Sequence, residues 1–384
     1  MNANFLYSKD LRTKVGILGG GQLAALLARS ARTRDCEIFV YVNSIVEPAC
    51  AWANHVFVGK VDDRDGLKDF FKLCDVVLLE SEFFDPHTLS EVSQAAKVNV
   101  FPGLNAYEQL FSKENQKAFF SSINVPCVPY LKINQQEDLK NLNFDGPYIV
   151  KLSHGGYDGY GNFELNTKSD LLEKIDEFTQ NYTRTVLIEK RINIKNEFAS
   201  LLIKNQKGHL ILPACQTFQE ESICKLVKYP AQIDKNSEQA IMSIMETLNQ
   251  NIHDTGIYAF EFFEDVGGNV YINEAAPRVH NSYHYTIEAF NKSQFDLFLD
   301  AVLDCELKMP QQQHAHLTMV NILGQSQSEK YSLEFPNLNG NFDFKIHMYG
   351  KKECKPGRKM GHVTLFGPDE NYMIGQKLSQ EYRI

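Results

Sequence analysis

The chain has 384 residues, 43% of them hydrophobic and 23% charged, with a formal net charge of −9. That length exceeds one ordinary hydrophobic core and predicts two or three domains, while the acidic balance without a dominant basic stripe excludes a general nucleic-acid binder. None of the eight cysteines stands in a CxxC pair or at zinc-finger spacing, the first residues lack the apolar core of a signal peptide, and no run approaches membrane-spanning length, so a reduced, cytoplasmic protein that meets no membrane is expected.

Taken in order, KVGIL (Lys14 to Leu18) reads as a buried parallel strand that runs through Gly19-Gly20-Gly21-Gln22 into an apolar helix, Leu23 to Ala31. Strands follow at EIFVYV (Glu37 to Val42), DVVLLE (Asp75 to Glu80) and VNVF (Val98 to Phe101), with helices at Asp65 to Leu73 and Pro86 to Ala96. Strands alternating with helices predict a doubly wound parallel sheet, a Rossmann-like domain over 1–108. From there the pattern changes. A helix is expected over Ser112 to Ile123, strands at Pro147 to Leu152 and Val186 to Lys190, and a helix between them at Ser169 to Thr179. Further strands are expected at Glu197 to Ile203 and Gly208 to Pro213, then a helix near Ser237 to Gln250 and a hairpin joining GIYAFEFF (Gly256 to Phe263) to Val270–Ile272 through Val266-Gly267-Gly268-Asn269. A helix at Gln294 to Leu303 closes a second domain over 109–310, with a lid subdomain about 125–190. A polar stretch at Gln311 to Gln313 leads into a β-rich domain over 311–384 that includes HLTMVNIL. The fold class is α/β with α+β.

Four motifs carry chemistry. The hairpin sets Glu261 near Glu274, and two carboxylates repel unless a cation lies between them. With the amide oxygen of Asn273 they suit Mg2+. Immediately beyond the Ala-Ala-Pro turn, Arg278, His280, Asn281 and His284 offer donors to an anion. The second motif, Gly155-Gly156-Tyr157-Asp158-Gly159-Tyr160-Gly161, follows the strand that carries Lys151. Loops of exposed amides beside a lysine suit phosphates, although no Gly-Lys-Ser/Thr closes this one into a Walker loop. The third, Gly19 to Ala24, fits GxGxxA and reads either as an anion-binding turn or as helix packing. A dinucleotide site would place an acid after the second strand, where Asn43 and Ser44 stand. The fourth, Tyr349-Gly350-Lys351-Lys352 with Pro356-Gly357-Arg358-Lys359, reads either as a phosphate pocket or as a solvated basic turn.

Taken together, GILGGGQL, GGYDGYG, NEAAPRVHNSYH with TIEAFNKSQF, MVNILG and PGRKMGH resemble the ATP-grasp superfamily. Within it the resemblance is to the N5-carboxyaminoimidazole ribonucleotide synthetases of purine biosynthesis, in family order over nearly the whole chain. The resemblance implies an ATP-dependent ligase that joins bicarbonate to the amine of aminoimidazole ribonucleotide through carboxyphosphate, with ATP and Mg2+ required, in a homodimer. It implies that Lys113 and Lys151 contact ATP phosphates and that Gly156, Tyr157, Asp158, Gly159, Tyr160, Gly161 and Asn162 form the lid. Adenine would lie against Glu189, Lys190, Arg191 and Ile192, with Glu197 on the ribose and Gln219 nearby. Glu261 and Glu274 would hold Mg2+, assisted by Asn273, and Arg278, His280 and Asn281 would orient bicarbonate. Lys351 and Arg358 would clamp the ribonucleotide phosphate, with Gln22, Glu80 and Glu82 lining its side of the cleft and Tyr157 and Asp158 reaching over from the lid.

The sequence departs from the family pattern at Ser153 and His154, where an arginine is usual, and at Tyr160, where Lys or Arg is usual. It departs again at Asn162, at Gln219 in place of His, and at Ala24 and Ala25. Most of these changes remove positive charge or a donor near ATP. A weakened nucleotide-binding homologue with a regulatory role, or a ligase for a related phosphorylated amine or for formate, are the alternatives.

Overall fold

A computed structural model describes residues 12–153, 161–180, 182–338, 340–367 and 371–384. The chain separates into two compact units, Met1–Phe101 and Pro102–Ile384.

In the first unit β1 (Lys14–Leu18), α1 (Gln22–Arg32), β2 (Glu37–Val42), β3 (His55–Val58), α2 (Arg64–Phe71), β4 (Val76–Leu79), α3 (Pro86–Ala96) and β5 (Asn99–Phe101) alternate along the chain. The strands pair in parallel in the order β3-β2-β1-β4-β5. The central strands are apolar on both faces and buried, as covering by helices requires. β3, absent from the sequence reading, is an edge strand whose Val56 and Val58 stay exposed. The order reverses between β1 and β4, and crevices at the carboxyl ends of such strands are where doubly wound sheets bind ligands.

The second unit begins with α4 (Leu104–Leu110) and α5 (Lys113–Ser122), the latter capped by the Ser112 hydroxyl. A four-stranded sheet follows from β6 (Tyr130–Ile133), β7 (Tyr148–Leu152), β8 (Asn162–Leu165) and β9 (Val186–Lys190), backed by α6 (Lys168–Phe178). Its own small core contains Val150, Leu171, Ile175 and Ile188. Gly161 sits at a φ of +87°, and a side chain there would meet Leu152. His154, Gly155, Gly156, Tyr157, Asp158, Gly159 and Tyr160, expected to form the lid loop, lie outside the described residues.

The largest sheet is built from β10 (Ile194–Asn205), β11 (Gly208–Glu220), β12 (Ile223–Tyr229), β13 (Gly256–Asp265) and β14 (Val270–Ala276), with α7 (Lys235–Asn251) packed against it. After α8 (Thr286–Ala289) and α9 (Gln294–Val302), the C-terminal strands β15 (His316–Leu323), β16 (Asp343–Met348) and β17 (Lys359–Gly367) extend the same sheet, and α10 (Tyr372–Glu381) follows. The order is β14-β13-β10-β11-β12-β15-β17-β16.

Compactness divides the chain in two. The first break falls at Phe101 rather than 108, and the segment 311–384 joins the central sheet through the β12–β15 ladder while keeping its own apolar cluster around Val320, Met360, Val363 and Leu378. β12 supplies that ladder, and it was not visible in the sequence because its alternation is broken by Cys224, Lys225 and Lys228.

Candidate functional site

The expected hairpin forms, and its register explains how three polar side chains reach one place. Glu261 on β13 stands opposite Glu274 on β14, whereas Phe262 stands opposite Ile272. Asn273 is thus the extra residue of a β-bulge, which bends the strand and releases adjacent side chains from strict alternation. Asn273 Oδ1 accepts a hydrogen bond from Lys151 Nζ at 3.0 Å, while Glu274 pairs with Lys113 Nζ.

The lysines come from two other elements. Lys113 opens α5 and Lys117 stands one turn later on the same face. Gln116 docks this helix onto β14, accepting the Ala275 N–H at 2.9 Å and donating to the Ala275 carbonyl at 2.8 Å. Lys151 comes from the centre of the lid sheet. Lys117 and Lys151 both close on Glu189, at 3.0 and 2.7 Å, and all three side chains are buried. Lys117 also donates to the Asn273 carbonyl at 3.2 Å.

The acids behave differently from one another. Burial opposes ionisation of Glu189, but Lys117 and Lys151 outweigh it and hold the carboxyl at about 2. Burial likewise opposes ionisation of Glu274, and Lys113 overcomes it, lowering that carboxyl. Glu261 is raised, first by burial and then by the facing Glu274 and Glu197. Glu197, four residues into β10 rather than at its start, is raised by burial to about 7 against the lowering bond from Gln219. Lys151 is lowered: burial and the ammoniums of Lys117 and Lys113 outweigh Glu189. Glu261 and Glu197, both raised, thus stand beside the ion-paired Glu274, with the amide oxygen of Asn273 alongside. That donor set fits a hard divalent cation.

The loop after β14 is tied down at several points. The Tyr283 hydroxyl reaches the carbonyls of Ala199 and Pro213, at 3.0 and 2.7 Å, where the β10–β11 register shifts. His280 Nε2 lies 3.7 Å from Glu261 Oε1, and its Nδ1 lies 2.7 Å from the Ser282 hydroxyl. Arg278 Nη1 donates to the Val279 carbonyl at 3.2 Å. Asn281 is buried in a reciprocal amide pair: its Nδ2 donates to Asn321 Oδ1 at 2.9 Å and its Oδ1 accepts from Asn321 Nδ2 at 2.7 Å. This pairing leaves one N–H and one lone pair of Asn281 for a ligand. Lys351 and Arg358 both stand in the loop joining β16 to β17, with Lys351 Nζ 5.7 Å from the centre of the Tyr349 ring and Gly357, beside Arg358, at a φ of +74°. Arg358 Nη1 donates to the Glu353 carbonyl at 2.8 Å.

Other expected positions resolve less simply. Glu189 faces inward to Lys117 and Lys151, Lys190 and Arg191 are exposed, and Ile192 is half-buried beyond the strand. Lys190 and Arg191 donate their backbone N–H groups to the Pro129 and Pro147 carbonyls, both at 2.8 Å. Gln219 lies at a register shift of β11 against β12, and Asn162 pairs in register with Lys151.

In the first unit, Gln22 opens α1 while Glu80 and Glu82 follow β4, so all three gather at the carboxyl ends of β1 and β4. Glu80 accepts the Gly21 N–H at 3.3 Å and the Ala24 N–H at 3.0 Å. A Cβ on Gly19 would come within 2.3 Å of Glu80. The carboxylate therefore holds the helix terminus that a dinucleotide pyrophosphate would need.

Two further lysines matter as well. Lys117 reads as an exposed helical lysine, yet its spacing from Lys113 was a usable signal. Lys359, next to Arg358, is buried and close enough to Glu261 to lower its carboxyl against the other influences. Among the described residues one histidine-rich group, Glu288, His347 and His362, also has metal-ligand atoms close together. Its two imidazoles are stacked at 4.6 Å with planes 20° apart. His347 Nε2 lies 2.7 Å from Glu288 Oε1, and His362 Nδ1 lies 2.8 Å from the Tyr349 hydroxyl.

Three family models match in succession: the ribonucleotide synthetase preATP-grasp domain over residues 12–109, the ATP-grasp domain over 118–295, and the phosphoribosylaminoimidazole carboxylase C-terminal domain over 318–376. The N5-carboxyaminoimidazole ribonucleotide synthase of Synechocystis sp. is 30% identical, over 93% of this chain and 92% of its own. The chain belongs to the N5-carboxyaminoimidazole ribonucleotide synthase family. Among solved structures, the Staphylococcus aureus N5-carboxyaminoimidazole synthetase complexed with ADP matches with a TM-score of 0.83 at 30% identity, covering 95% of this chain and 96% of that one. The synthase of Aspergillus clavatus in complex with ADP and 5-aminoimidazole ribonucleotide matches with a TM-score of 0.80 at 29% identity, covering 93% and 94%. Among the described residues no helix is long and apolar enough to cross a membrane.

Proposed function

We propose that the chain carboxylates 5-aminoimidazole ribonucleotide with bicarbonate at the expense of ATP, forming N5-carboxyaminoimidazole ribonucleotide, ADP and phosphate. The observation that carries this is the in-register Glu261–Glu274 pair with Asn273 released beside it, ringed by Lys113, Lys117 and Lys151. Glu261 and Glu274 would hold Mg2+, which would supply charge neutralisation for phosphoryl transfer. Lys113 and Lys151 would meet the phosphate oxygens. Glu189 fixes Lys117 and Lys151 in a dry interior, where preorganised cations act most strongly on developing negative charge. Glu197 accepts ribose hydroxyls.

Bicarbonate oxygen attacks the γ-phosphorus, and the bond to the β–γ bridging oxygen breaks to release ADP. Arg278 and His280 hold the resulting carboxyphosphate. The ribonucleotide amine then forms its bond to the carboxyl carbon, directly or after CO2 release in place, as phosphate departs and the nitrogen loses a proton. Lys351 and Arg358 are assigned to the 5′-phosphate on family likeness. Tyr157 and Asp158 are assigned to the lid by family likeness alone. The absent lid cations lower the rate without removing the metal acids or the anion donors. We further assign the active form as a homodimer, on family likeness.

18O-labelled bicarbonate tests the order of bonds. Transfer of one label into inorganic phosphate supports it, and label found only in the carboxylated product refutes it.

A further inference from the structure

Gln294, the first residue of α9, is fully buried and makes four hydrogen bonds, three through its side chain. Its Oε1 accepts the His280 N–H at 2.8 Å, and its Nε2 donates to the His280 carbonyl at 2.8 Å. Its backbone N–H donates to the Thr286 hydroxyl at 3.0 Å. The two bonds to His280 leave no ambiguity in the amide: the oxygen must face the N–H and the nitrogen must face the carbonyl. The second Nε2 proton then points at His284 Nδ1, 3.0 Å away, which must accept it.

His284, grouped in the sequence with the anion donors, is fully buried. An accepting Nδ1 makes it the neutral tautomer with its proton on Nε2, and burial holds it neutral by pushing its pKa well below the ordinary value. A residue gripped at both its N–H and its carbonyl cannot rotate its backbone. His280 is gripped in this way, and its ring is further fixed by Ser282 so that Nε2 faces Glu261.

We propose that Gln294 is the positioning residue for His280, and that His284 is the buried acceptor that keeps the Gln294 amide in register. The proposal deepens the carboxylation reading and rests on it for the consequence, but not for the geometry. A side chain held by buried partners of this kind is placed to within a fraction of an ångström, which is what an anion-orienting group needs.

Two experiments test it, one independent of activity. In full-length protein labelled with 15N in the imidazole rings, two-bond correlation spectra report the tautomer of each histidine. His284 is expected as the Nε2–H form in the wild type and as the Nδ1–H form in Gln294→Glu, because a carboxylate there can only accept. A wild-type His284 with its proton on Nδ1 overturns the proposal. Kinetics supply the second arm. His284→Leu should raise KM for bicarbonate roughly tenfold while KM for ATP changes less than twofold, and His284→Asn, which keeps an acceptor near the Nδ1 position, should restore it. A merely structural role would lower kcat in both variants with KM unmoved, and that result overturns the proposal. Wild-type protein with no bicarbonate-dependent turnover would instead defeat the functional reading, leaving the tautomer to decide the positioning claim.

Discussion

Glu189→Gln tests whether the buried lysine cradle is held together by one carboxylate. The wild-type carboxyl ionises at about 2 in the fold against an ordinary 4.5. Each tenfold change in proton affinity is 1.36 kcal/mol, so the ionised form contributes about 3 kcal/mol. With the side chain only 3% exposed, solvent screening takes little of this away. The independent expectation for removing one partner of a buried ion pair is about 3–5 kcal/mol, in agreement. Because the folded value is depressed, the contribution is fully present above pH 4.5 and is lost as pH falls toward 2.

The single tryptophan, Trp52, belongs to the other compact unit, so its fluorescence is a poor reporter. Peptide-resolved hydrogen exchange over β9 measures the local opening directly. At pH 7 the variant should open β9 roughly a hundredfold more often, the factor that about 3 kcal/mol represents. The double variant Glu189→Gln/Lys117→Met should recover part of the loss by removing one uncompensated ammonium. Unchanged β9 protection, with no recovery in the double variant, would refute the account of the cradle.

Glu261→Gln should make the ligand-free protein more stable at pH 8: a carboxyl raised in the fold retains a proton that the open chain releases, so stability falls as pH rises through that window, and the amide escapes the loss. The same variant should lose the melting-temperature increase that Mg2+ with ATP gives the wild type. KM for ATP should rise as pH drops below about 7, where Glu197 takes up a proton and ceases to be a full acceptor for ribose; Glu197→Gln should flatten that profile, as initial-rate measurements across pH would reveal. Glu274→Ala should abolish Mg2+-dependent ATP use, whereas Arg278→Ala should mainly impair carboxylation; equal ADP release by wild type and Glu274→Ala would overturn the metal assignment.

The parts of the molecule legible in the sequence are those with local signals. Buried strands alternating with helices revealed the first sheet, and the Val-Gly-Gly-Asn turn located the hairpin that brings Glu261 to Glu274. What stayed hidden depends on pairings distant in sequence. The bulge at Asn273 exists only relative to β13, so no pattern within β14 announces it. Glu80 caps α1 across 59 residues, and an acid after a strand looks the same whether it binds substrate or a helix terminus. Lys117 looked like an ordinary surface lysine because burial of a charge requires the partners that β7 and β9 bring. Gln294 follows the polar Asn291-Lys292-Ser293 and Asn321 sits within an apolar strand, and both are uncharged, so their grip on His280 and Asn281 had no signature short of the folded structure.

The central claim is that ATP turnover by this chain is coupled to carboxylation of the aminoimidazole amine. The direct measurement is ADP release by purified protein with Mg2+ and ATP, with aminoimidazole ribonucleotide and 13C-bicarbonate added singly and together, while 13C NMR follows the product. The account predicts appreciable turnover only when both are present, with one carboxylated ribonucleotide formed per ADP. Turnover that is equal without bicarbonate, or supported equally by formate, or absent with both substrates, would contradict it.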